Sequence, residues 1–211
     1  MQTDSLSYRT LKNISYSFVG FVVPIAFSIF ITPVIVHKLG VAEYGILVLT
    51  NTILGFLGLM DLGLTASVVK YISEYHTLGE WEKLRRALTS ANTLYWLIGF
   101  VNLAIFLILG KFFLWAFHIS GVSQQHILIV FLLAGLTSFL TAINSIYASI
   151  PPALQRYDIV NKINLSQLAV YNLGALVLAL FCFQLKAILS LNFLTVAGMT
   201  VAYRVFRQKL L

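Results

Sequence analysis

Residues 38–70 read KLGVAEYGILVLTNTILGFLGLMDLGLTASVVK. After Glu43 and before Lys70 the run contains one formally charged residue, Asp61. The spacing predicts a membrane-spanning helix over 44–69, entered through a Gly-containing turn. A carboxylate at the centre of such a helix costs about 2.5–3.5 kcal/mol on insertion scales, so it is expected to face a bundle interior or a water-filled cavity. Asp61 is the residue of this chain whose presence most needs a physical reason.

The rest of the chain supports the same class. Its 211 residues are 59% hydrophobic and 10% charged, with a mean hydropathy of +0.90. Soluble domains carry about 25% charged residues, so the expected fold class is an all-α integral membrane protein. Charge-free runs long enough to cross a ~30 Å hydrocarbon core predict six spans: 13–36, 44–69, 87–110, 127–150, 163–185 and 187–203. A polar segment, 1–12, precedes them, and a basic tail, 204–211, follows. The first apolar run is too long for a signal-peptide core and lacks a small-x-small cleavage pattern, so it is expected to remain as a helix.

The formal charge of +7 is explained by topology. Arg9, Lys12, Lys70, Lys83, Arg85, Arg86, Arg156, Lys162, Arg204, Arg207 and Lys209 fall in alternate gaps. Only Lys38, Lys111 and Lys186 fall in the others. The positive-inside rule then places both termini in the cytoplasm. A nucleic-acid partner is not expected, because no basic face with interleaved aromatics lies outside those gaps. Around 79–88, Trp81, Leu84 and Leu88 recur at helical spacing among Lys83, Arg85 and Arg86. The pattern fits an interfacial amphipathic helix or, equally, a solvated connector.

Polar residues fall on helical faces. Asn13, Ser17, Gly20, Pro24, Ser28 and Thr32 share one side of the first span. Asn51, Gly55, Gly58, Asp61 and Thr65 share one side of the second. Weaker stripes follow: Asn92, Trp96, Gly99 and Asn102, then Gly135, Ser138, Ala142, Ser145 and Ser149, and then Asn164, Gln167, Tyr171 and Gly174. Small and weakly polar residues are also what membrane helices use for close packing. That reading is favoured for the later spans. A cavity is favoured for the first two, whose Pro and Gly breakers suit interrupted transporter helices. Candidate cavity residues are therefore Asp61, Asn51, Thr65, Lys70, Asn13, Ser17 and Ser28. A structural acid paired with a neighbouring helix is the competing account of Asp61. No catalytic set, metal-ligand spacing, Walker loop or H-E-x-x-H motif is present, and no enzyme activity, metal or cofactor is expected. Cys182 is the single cysteine and reads as a small packing residue.

Leu39-Gly40, Tyr44-Gly45 and Asp61-Leu62-Gly63-Leu64, with Lys70 after them, sit within LGVAEYGILVLTNTILGFLGLMDLGLTASVVKYISEY. This run resembles the second-helix region of Wzx-type polysaccharide flippases, in the multidrug/oligosaccharidyl-lipid/polysaccharide exporter superfamily. ALQRYDIVNKINL is similar to that family's link between its fourth and fifth helices, and Lys12 to Ile14 to its usual start. The resemblance implies a multi-pass cytoplasmic-membrane transporter that flips a lipid-linked oligosaccharide by alternating access, with Asp61, the first-span stripe and Lys70 as lumen candidates. The family has two lobes, and this chain resembles the N-terminal one. A second six-helix lobe, or a glycan polymerase and glycosyltransferases, are the implied partners beside membrane lipid. The chain would be either a piece of a longer protein or one half of a two-chain assembly. A drug/cation antiporter of the same superfamily and a non-transporting scaffold of a glycan assembly complex remain as alternatives.

Overall fold

In lipid the backbone has no water to bond, so a chain of this composition must satisfy its amides internally, as helices. The computed structural model describes residues 25, 29–59, 61, 63–116, 123–181 and 184–210, and among these every regular element is a helix. They are α1 (Ile29–Leu39), α2 (Val41–Leu59), α3 (Leu64–Leu78), α4 (Trp81–Ala116), α5 (Gln124–Ala148), α6 (Ile150–Ala153), α7 (Tyr157–Leu180) and α8 (Leu185–Leu210). Five candidate membrane-crossing segments result: α2, α4, α5 with α6, α7 and most of α8. The chain is thus a multi-pass, all-helical membrane protein. Most of the expected first span, with Asn13, Ser17 and Ser28, lies outside the described residues.

The expected second span is two helices. α2 stops at Leu59, and α3 starts after Gly63, whose φ of +81° is a left-handed conformation that glycine adopts without steric cost. α3 then runs past Lys70 to Leu78. It ends at Gly79, where Gly79 N–H bonds to the His76 carbonyl and Glu80 N–H to the Tyr75 carbonyl, the pairing of a Schellman cap. The polar residues 70–86 are therefore the ends of two helices meeting in a tight turn. The amphipathic pattern at 79–88 is the start of α4, with Leu84 and Leu88 buried and Trp81, Lys83, Arg85 and Arg86 exposed. At about 1.5 Å per residue, the 36 residues of α4 extend about 54 Å, well beyond the ~30 Å apolar layer.

Pro151 and Pro152 do not end the fourth span outright. They fall in the first turn of α6, where a missing N–H leaves no bond broken. α7 and α8 likewise extend into charged sequence, to include Asp158 and Lys162 at one end and Arg204 at the other. Hydropathy marks only where lipid stops. Helical hydrogen bonding continues into the interface.

α5 is the axis of the bundle. Of its apolar window with α6, 56% is buried, against 17–28% for the other four crossing segments. It packs chiefly on α4 and α8, while α3 packs on α4 and α7 on α8. The α4–α5 seam is close because glycines line it from both sides. A methyl group at Gly135 would lie 2.9 Å from Phe106 Cβ, and one at Gly110 would lie 2.9 Å from Phe131 Cβ. Two apolar cores result. One, toward the α2 N-terminus, gathers Ile46, Phe106, Ile127, Phe131, Ala179 and Leu185. The other, toward the Lys/Arg-rich end, gathers Ile72, Leu88, Tyr95, Ile146, Ile150 and Tyr203. On α5, Thr137, Ser138, Thr141 and Ala142 fall between Ala134 of the first core and Ile143 of the second.

Gly135→Ala is expected to destabilise the fold by about 1–3 kcal/mol, because Phe106 is held too near its backbone to move aside. Gly198→Ala, in open space, is the control. Thermal unfolding in detergent checks the pair: equal melting temperatures would mean that the seam is not close-packed.

Candidate functional site

The layer between the cores mixes polar side chains with apolar ones. A cavity of about 190 Å³ opens there, lined from the α2–α3 break by Leu54, Leu57, Gly58 and Asp61, and from α4 by Tyr95, Ile98 and Asn102. α5 contributes Thr137, Ser138, Thr141, Ala142 and Ser145, and α8 contributes Asn192 and Val196. Gly58 and Thr141 are exposed and mark its open side. Its volume equals that of about six waters in the liquid.

Asp61 is placed by the break itself. A helix that restarts after a break presents free N–H groups at its first turn. Asp61 answers two of them. Its carbonyl accepts from Leu64 N–H at 2.6 Å, and its Oδ2 accepts from Thr65 N–H at 3.2 Å. A carboxylate at a helix N-terminus is also favoured by the dipole of α3. The other oxygen, Oδ1, accepts from the Tyr95 hydroxyl at 2.9 Å. The Tyr95 oxygen lies 2.7 Å from Thr65 Oγ1. A phenol has one proton to give, so the order is Thr65 hydroxyl to Tyr95 to Asp61. No cation is needed to hold this acid. An ionised carboxylate offers about four acceptor positions, and these bonds use two.

Asn102 is 5% exposed and its Oδ1 lacks a partner; Asn144 Oδ1, on the adjoining part of α5, also lacks one. Unpaired amide oxygens at this depth are expensive. The hydroxyls nearby do not supply donors, because they bond back along their own helices. Thr137 Oγ1 donates to the Leu133 carbonyl at 2.8 Å and Thr141 Oγ1 to the Thr137 carbonyl at 2.9 Å. The polar stripe on α5 is therefore partly self-satisfied, and the Asn102 Oδ1 stays buried without a partner beside the cavity.

Of the residues expected from sequence, Asp61 and Thr65 meet in this site. Asn51 is exposed on α2 and lines no part of it. Lys70 is exposed, with its ammonium 5.8 Å from the Tyr71 ring centroid, and borders a separate groove with Ser73, Thr77, Pro152 and Gln155. Asn13, Ser17 and Ser28 are among the residues not described. Asn102, Ser138 and Ser145 sit on stripes visible in the sequence. Tyr95 was missed: it falls beside the Asn92/Trp96/Gly99/Asn102 face, and a tyrosine amid apolar residues reads as packing until its partner is known.

At the opposite end a second acid ties α2 to α8 and approaches α5. Glu43 Oε2 accepts from Leu185 N–H at 3.1 Å, at the free N-terminus of α8, and Glu43 Oε1 lies 3.7 Å from His126 Nε2. Among the described residues no group of three or more His, Cys, Asp or Glu could hold a metal ion. Comparison with family models, with curated proteins and with solved structures gives no match.

Tyr95→Phe removes a hydrogen bond to a half-buried carboxylate, an interaction worth about 1.5–3 kcal/mol. A double-mutant cycle with Asp61→Ala is expected to show a coupling of about 1 kcal/mol or more in detergent unfolding. Strict additivity would mean that the phenol and the carboxylate do not meet.

Proposed function

We propose that the chain forms one lobe of a membrane transporter that flips a lipid-linked oligosaccharide from the cytoplasmic to the outer leaflet by alternating access. One observation carries the transport reading: the crossing segment α2 ends at a break that carries an acid, and that break lines a cavity where Asp61, Asn102 and several hydroxyls stand among apolar residues, between two apolar cores. Interrupted helices with irregular backbone at a cavity are a recurring design of transporter binding sites. The likeness of 39–75 and 153–165 to Wzx-type flippases supplies the substrate class.

The physical task is to carry a sugar head through hydrocarbon while its lipid tail stays in the layer. That requires a path polar within and apolar without. The outward faces here meet the second requirement, with Phe100, Ile108 and Val177 exposed. Asp61 retains acceptor capacity for sugar hydroxyls. At about 190 Å³ the cavity is far smaller than an oligosaccharide. In this reading it is part of one wall of a groove, completed by a second lobe. The Lys/Arg-rich end faces the cytoplasm, and Lys70 with its basic neighbours attracts the pyrophosphate of the carrier lipid.

Loss of the gene is expected to make lipid-linked repeat units accumulate on the cytoplasmic leaflet. Restoring Asp61→Ala at normal membrane levels is expected to leave most of that accumulation. Asp61→Asn, which keeps an acceptor, is expected to recover part of the activity if sugar hydroxyls are the partner. Full rescue by Asp61→Ala would remove Asp61 from the mechanism. Ion-dependent dye efflux without accumulation would replace the flippase by a drug/cation antiporter.

A further inference from the structure

A second, larger cavity lies at the Lys/Arg-rich end, where the start of α4 faces the ends of α5 and α8. Its volume is about 880 Å³, within the ~300–1,000 Å³ range of small-molecule sites. It shares no lining residue with the Asp61 cavity. Its charge is what sets it apart. The described acids at this end are Glu74, Glu80, Glu82 and Asp158. Glu80 pairs with Lys83, Glu82 with Arg86 and Asp158 with Arg156. Four cations whose side chains are described are left without an acid within 4 Å: Lys70, Arg85, Lys162 and Arg204. Only Arg85 and Arg204 line one cavity together.

Arg204 is held in place. Its guanidinium stacks over the Tyr147 ring, 5.4 Å from the centroid, and its Nε donates to the Tyr147 hydroxyl at 3.3 Å. Tyr147 is itself buried. A guanidinium fixed on an aromatic face keeps its outer N–H groups in a planar fork, the geometry that suits a phosphate. Asn92 adds a neutral amide that can donate, while the Thr89 hydroxyl already donates to the Arg85 carbonyl at 2.9 Å, and Leu84, Leu88 and Ile150 form a buried apolar wall. Trp81 sits at the rim, 55% exposed, where indoles mark the membrane–water boundary.

We propose that this groove is a binding site for the phosphate of an anionic lipid, held between Arg85 and Arg204 with its acyl chain along Leu84, Leu88 and Ile150. Basic pockets between membrane helices at an interface bind anionic head groups in this way. The site does not rest on the transport reading, and its test needs no transport.

The full chain in neutral detergent is titrated with phosphatidylglycerol, phosphatidylcholine or inorganic phosphate while its melting temperature is followed. Phosphatidylglycerol is expected to raise it saturably, and the other two to leave it unchanged. Arg85→Gln is expected to weaken the apparent affinity about tenfold, the loss of one charge-assisted bond. Arg85 is exposed and makes no contact that folding requires, so this variant remains informative if Arg204→Gln does not fold. Lys162→Gln, an equal change of charge on the same end, is expected to leave the affinity unchanged. Equal protection by phosphatidylcholine or by inorganic phosphate overturns the proposal. So does a Lys162→Gln effect as large as that of Arg85→Gln, which would reduce the site to diffuse charge.

Discussion

A helix that restarts after a break must find acceptors for its free N–H groups, and Asp61 supplies two of them. Its carbonyl and Oδ2 take two amides of the α3 first turn, and its Oδ1 ties the break to α4 through Tyr95. Without the acid, the Thr65 N–H and the Tyr95 hydroxyl would lose their acceptor, while the backbone carbonyl of residue 61 would still take the Leu64 N–H. With it, α2 and α3 can point differently, and polar surface can open between them. The capping duty and the proposed lumen role are therefore one arrangement: the bonds that make the break tolerable also present the remaining acceptor positions of the carboxylate to the cavity. The competing account of Asp61, a structural acid paired with a neighbouring helix, is satisfied by a phenol rather than a cation.

The mixed layer divides the bundle into two apolar cores and sets which parts can move together. α4 and α5 meet through glycines on both helices, so a shift of one without the other would open a seam that has no slack. α2 and α7, like α4, bury far less of their surface than α5, but neither takes part in that seam. For a protein that works by rocking of rigid parts, the α4–α5 pair with α8 is the natural rigid part. In the proposed transporter, the exposed faces of α2 and α7 are the ones open to lipid or to a second lobe.

The class of protein was legible because it follows from composition alone: too few charges for a water-facing surface. Asp61 was legible for the same reason, since a lone acid in an apolar run has no other explanation than a polar neighbour. The break beside it was half-legible. Gly55, Gly58 and Gly63 advertise it, but only Gly63 takes a positive φ, and which glycine turns the chain depends on where the next helix docks. The central place of α5 could not be read. An axis helix differs from a lipid-facing one in what surrounds it, and Thr137, Ser138 and Asn144 resemble the stripes of its neighbours. Hydroxyls such as Thr137 and Thr141 give no signal either, because bonding back to the preceding turn lets them sit against lipid or protein alike. Tyr95 shows the general difficulty: 34 residues separate it from Asp61, and only the packing of α3 on α4 brings them together.

The excess of cations at one end has two physical readings that need not compete. As a sum it is a topological signal, and any distribution among the loops would serve. The structure distributes it unevenly. Lys83, Arg86 and Arg156 are neutralised by acids one turn or less away, and exposed pairs of that kind add little stability. Their effect is to cancel charge on the rim while Arg85 and Arg204 keep theirs, inside one groove with an apolar wall. Topology alone gives no reason to hold Arg204 against a buried tyrosine. An anion that must be met at a fixed place does.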